Sequence, residues 1–95
     1  MRISQAEQAV ILRAVQKIDR DAVIWLFGSR VDDTKKGGDI DIAILSDRIG
    51  RLEWIAIRQE ITASLGEQHI DIVVSSDGTD PFFRLAIETG VCIHG

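Results

Sequence analysis

Apolar residues recur along this chain with two periods, and each stretch indicates its own element. Ser4 followed by Glu7 forms a capping box, and Ile11, Ala14, Val15 and Ile18 then repeat at helical spacing. The run AVIWLF (22–27) is wholly apolar and rich in β-branched and aromatic types, which predicts a strand covered on both faces. A polar loop, GSRVDDTKKGG (28–38), comes next. DIDIAIL (39–45) alternates, with Ile40, Ile42 and Ile44 on one face of a second strand. Residues 48–65 return to helical spacing through Leu52, Ile55, Trp54, Ile57, Ile61 and Leu65, and Gly66 is a natural stop. HIDIVVS (69–75) is a third alternating strand, and Asp80–Pro81 supplies an N-cap and first-turn proline for a helix ending near Gly90. VCIH (91–94) is a candidate short edge strand. This order predicts an α/β (α+β) fold, a small mixed β-sheet with helices packed on it.

Composition narrows the function classes. The sequence has 95 residues, 45% of them hydrophobic and 27% charged, which predicts one compact domain spanning 1–95 with a single modest core. A deep, fully enclosed pocket is not expected at this size. The net charge of −4 argues against sequence-independent duplex binding, which needs a basic stripe, so no direct nucleic-acid binding is expected. No apolar run approaches the ~20 residues of a membrane span. The start, MRISQAEQ, lacks a signal-peptide core, and one cysteine permits no internal disulfide. The expectation is a soluble cytoplasmic protein.

The candidate chemistry lies in the strands. Aspartate is depleted in strands, yet Asp39 and Asp41 stand two apart at the head of one. Same-face positions at ~3.4 Å per residue put their Cα atoms ~6.8 Å apart, near enough to share a cation. Asp71 repeats the anomaly inside HIDIVV. If the second and third strands are neighbours, three carboxylates converge, and an all-oxygen set of this kind suits magnesium. Each aspartate alone has a plain reading as the end of a Gly-Gly turn or as a solvated strand position. Gly28 lets backbone approach a ligand, Ser29 offers a hydroxyl and an N–H to a phosphate, and Arg30, Lys35 and Lys36 could add charge-assisted contacts. No P-loop or GxGxxG motif is present.

LFGSR (26–30), GDIDIAIL (38–45) and the later HIDIVV (69–74) together resemble the minimal nucleotidyltransferase (MNT) domain of the DNA polymerase β-like superfamily. The resemblance implies the polymerase β palm-like fold. It implies that Asp39, Asp41 and Asp71 are the catalytic and metal-binding carboxylates, with Asp71 orienting or deprotonating an attacking hydroxyl. Gly28 and Ser29 would hold the β- and γ-phosphates, with Arg30 as a further triphosphate contact. The implied reaction is Mg2+-dependent transfer of AMP from ATP, with two ions, to an acceptor hydroxyl. Domains this small resemble the nucleotidyltransferase half of two-gene modules paired with a helical HEPN-type partner encoded nearby, often as toxin and antitoxin, and in some of these the nucleotidyltransferase adenylylates (AMPylates) a tyrosine of the toxin. Homo-oligomers are also open.

Many relatives continue GSR with arginine and glycine, whereas Val31-Asp32-Asp33 follows here. Two added carboxylates repel a triphosphate unless they turn away. This departure motivates an alternative reading, a catalytically weak or inactive binding module that neutralises a partner by contact. A ferredoxin-like ligand-sensing domain is a third reading. Trp25 is expected in the core, Trp54 in the core or at a partner surface. Phe82 and Phe83 are expected to seat the last helix, His69 to enter its strand as a polar residue, and Cys92 to be a buried thiol. Cys92 and His94 alone make no zinc site.

Overall fold

The structure is a computed structural model that describes residues 4–28, 39–66 and 69–95, with Asp39 and His69 described by backbone alone. Its elements are α1 (Gln5–Gln16), β1 (Val23–Phe27), β2 (Asp39–Leu45), α2 (Arg51–Leu65), β3 (His69–Ser75), α3 (Pro81–Thr89) and β4 (Val91–His94). The sheet runs β3-β2-β1-β4. β1 pairs antiparallel with both β2 and β4, while β2 and β3 are parallel, joined through α2. The expected mixed sheet with packed helices is therefore present.

The two-residue period of the strands divides the apolar residues between two layers. Ile24, Leu26, Ile40, Ile42, Ile44, Ile70 and Ile72 pack with Ile11, Ala14 and Val15 of α1 and Ile57 and Ile61 of α2. On the other face Ala43 packs with Phe83 and Ala86 of α3, joined by Trp25, Phe27, Leu45 and Val73. Trp25 meets Phe83 edge to face at 5.7 Å. The apolar run of β1 is thus covered on both sides, as its composition predicts.

Helix ends follow the local chemistry. Ser4 Oγ accepts the Glu7 N–H, and the Glu7 carboxylate accepts the Ser4 N–H, closing the capping box. α2 begins at Arg51 rather than near residue 48, because the Ser46 hydroxyl accepts the Arg48 N–H and holds the chain in a turn. Gly66 ends α2 with φ 86°, a left-handed value that glycine adopts without a Cβ clash. Asp80 is the N-cap of α3, but its side chain makes no cap hydrogen bond.

Beyond the carboxyl end of β2, Ser46 Oγ donates to Asp19 Oδ2 at 2.6 Å, and Asp19 Oδ1 accepts the Asp21 N–H. Asp19 and Ser46 are both buried. The Ser46 hydroxyl holds the Asp19 carboxyl below its usual 3.8; burial opposes this, and the Asp21 N–H and the Arg48 charge assist it. The network ties the α1–β1 connection to the end of β2.

Two expectations need correction. Cys92 is exposed, not a buried thiol, because β4 is a short edge strand whose first two residues face solvent. Phe82 does not seat α3 as Phe83 does. It is 59% exposed, while Phe83 is 1% exposed. His94 contributes to packing through hydrogen bonds: its Nδ1 bonds the Ala22 carbonyl at 3.2 Å and its Nε2 lies 2.8 Å from Gln16 Nε2. A carbonyl only accepts, so Nδ1 carries the hydrogen and Nε2 accepts from the Gln16 amide.

Candidate active site

Because β2 and β3 are parallel and in register, Asp41 stands directly beside Asp71, and Asp39 beside His69. Register partners on adjacent strands share a face, and strands lie ~4.8 Å apart. Asp41 and Asp71 share the α3 face of the sheet with Phe27 and Val73. Ile40, Ile42, Ile70 and Ile72, which flank them along the strands, fill the opposite layer, so the alternation that builds the core turns the Asp41 and Asp71 carboxylates to the other side.

Phe27, the last residue of β1, is the register partner of Asp41, and Gly28 follows it immediately. Gly28 has φ 77°. A Cβ added there would fall on the Asp41 carboxylate and stand 2.9 Å from its Cγ. Only a residue without a side chain leaves this carboxylate its place against the backbone.

Asp41 and Asp71 open into a cleft of about 440 Å³ that Phe27, Val73 and Phe82 also line. Phe82 meets Phe27 edge to face at 6.3 Å. Trp54 and Arg58 reach the cleft around the free edge of β3. Sequence reasoning favours the core for Trp54, which is half-buried against it, and does not single out Arg58. The available signal is their four-residue separation, which stacks side chains on one helix face.

The donor set fits a hard divalent cation in kind. Like charges on register partners repel, and a cation held between them would offset that repulsion. Oxygen ligands from aspartates with water and phosphate completing the shell are the magnesium pattern. Among the described residues no three such side chains gather as a metal cluster. The Asp39 side chain and all of Ser29, Arg30, Asp32, Asp33, Lys35 and Lys36 lie outside the described residues, as does the His69 side chain.

The family model described as "Polymerase beta, Nucleotidyltransferase" matches residues 10–95. The chain belongs to this nucleotidyltransferase family, and nucleotidyl transfer is its activity at that level. No curated protein matches it. Among the described residues no helix is long and apolar enough to cross a membrane.

Proposed function

We propose that this member of the family transfers AMP from ATP to a hydroxyl on a protein partner, with magnesium, and acts as the antitoxin of a helical HEPN-type protein encoded nearby. The observation that carries the catalytic part is the in-register pair Asp41–Asp71 beside Gly28. Across the sheet the order is Gly28 just after β1, Asp41 on β2 and Asp71 on β3. This order supports a triphosphate on the Gly28–Ser29 side and the acceptor on the Asp71 side.

In this reading Asp71 takes the proton of the acceptor hydroxyl. The freed oxygen forms a bond to the α-phosphorus, and the bond from that phosphorus to the bridging oxygen of the β-phosphate breaks. Pyrophosphate leaves with the electron pair, and the acceptor carries AMP as a phosphodiester. Asp39, Asp41 and Asp71 would hold Mg2+, which supplies charge stabilisation to the entering and leaving oxygens. Ser29 and Arg30 would hold the phosphates.

The test mixes the protein with labelled ATP, magnesium and the product of the adjacent gene. Label is expected on that protein, lost when EDTA is added and lost with Asp39→Asn. Transfer that survives Asp39→Asn contradicts the catalytic reading.

A second reading, neutralisation by contact, is favoured by the exposed apolar side chains Phe82 and Leu85 on α3, 59% and 57% exposed. It expects Asp41→Asn and Asp71→Asn to leave neutralisation intact, and Leu85→Asp to abolish it.

A further inference from the structure

Trp54 and Arg58 form a prepared unit at the edge of the sheet. The indole Nε1–H donates to the Ile72 carbonyl at 2.9 Å, which fixes the ring against β3. The Arg58 guanidinium lies over that ring, 6.0 Å from its centroid, in cation–π range. Among the described residues no hydrogen bond or ion pair occupies the guanidinium donors. Arg58 is half-buried and lines the same cleft as Asp71. A guanidinium held by stacking, whose N–H donors meet no partner among the described residues, is set up to bind a carboxylate or phosphate.

Its position says whose anion. Gly28 directly follows β1, and β3 lies two strands from β1, ~9.6 Å across the sheet. Arg58 stands at the outer edge of β3, beyond Asp71 and away from the phosphate side. Resting on the nucleotidyl-transfer reading above, we propose that Arg58 is an acceptor-specificity residue that pairs with an acidic side chain next to the acceptor hydroxyl, so that the acceptor is an acidic stretch of polypeptide. The hydroxyl gives its proton to Asp71, its oxygen bonds the α-phosphorus, and pyrophosphate leaves.

The adjoining hollow that shares Trp54 with the cleft balances Arg48 and Arg51 against Asp47 and Asp80, so Arg58 alone carries the acidic preference. Phe27 and Phe82 give the cleft an apolar wall suited to the segment's side chains. A nucleic-acid acceptor fits less well, because affinity for that polyanion is summed over many phosphate contacts and this chain carries a net charge of −4.

The test offers labelled ATP and magnesium with three probes: a random Glu–Tyr copolymer, a random Lys–Tyr copolymer and an RNA oligonucleotide with a free 3′ hydroxyl. The expected result is labelling of the Glu–Tyr copolymer with kcat/KM about tenfold or more above the Lys–Tyr copolymer. R58E is expected to reverse that preference and R58K to keep its direction, with melting curves checking that both variants fold. Equal labelling of the two copolymers, a preference that R58E does not move, or labelling of the RNA overturns the proposal. So does labelling of no probe while the wild-type protein still releases pyrophosphate from ATP. If the wild-type protein does neither, the nucleotidyl-transfer reading itself fails and this proposal falls with it.

Discussion

Gly28 and Asp41 occupy one packed corner: the carboxylate of Asp41 fills the space where a side chain at position 28 would begin. The glycine also holds φ 77°, where an L-residue pays a conformational cost. Gly28→Ala is therefore expected to cost about 1–2 kcal/mol of stability from the backbone and to displace the carboxylate besides. Pyrophosphate release from ATP should fall by at least about tenfold, consistent with misplacement of a group by ~1 Å. Urea unfolding and a pyrophosphate assay on the same preparation separate the two effects.

The buried Asp19–Ser46 pair makes stability depend on acid. The folded Asp19 carboxyl titrates below its usual 3.8, chiefly because the Ser46 hydroxyl donates to it. Below that value the unfolded chain binds the proton first, so stability rises with pH through this window. The contribution is complete above about pH 5 and is lost as pH falls through the folded value. Ser46→Ala is expected to destabilise by about 1.5–3 kcal/mol at neutral pH and to flatten the acid limb. Urea midpoints between about pH 2.5 and 7 measure both.

Phe82 and Phe83 are neighbours with opposite duties. Phe83 is buried against Trp25, so Phe83→Ala should cost about 3–5 kcal/mol. Phe82 is exposed at the cleft, so Phe82→Ala should cost less than about 1 kcal/mol. Denaturant unfolding of the two variants checks the contrast, and equal losses would contradict the packing described.

The same pair shows where sequence reasoning reaches its limit. Alternation and helical spacing indicate strands 39–45 and 69–75 and helix α1, because isoleucines at period two and period 3.6 leave few ways to bury them. The aspartates are legible for the converse reason, being acids placed where a strand wants apolar residues. Which strands pair, and in which register, depends on non-local contacts, and the Asp41–Asp71 pairing follows from the parallel β2–β3 ladder. Cys92 is misread even though β4 is expected at an edge, because which of its residues face solvent depends on its packing, and Phe82 is misread because α3 turns Phe83 inward instead. Neither packing is encoded in local spacing. Arg58 carries no local anomaly. Its place becomes visible only once Trp54 is bonded to the edge of β3.

The central claim is that Asp41 and Asp71 act together on one cation. A double-mutant cycle of Mg2+ affinity in the presence of ATP, by calorimetry on the wild-type protein, Asp41→Asn, Asp71→Asn and the double variant, tests it directly. The account predicts that each single change weakens Mg2+ binding by about tenfold or more, and that the double variant loses clearly less than the sum of the two. Unchanged affinity in either single variant, or losses that simply add, would contradict it.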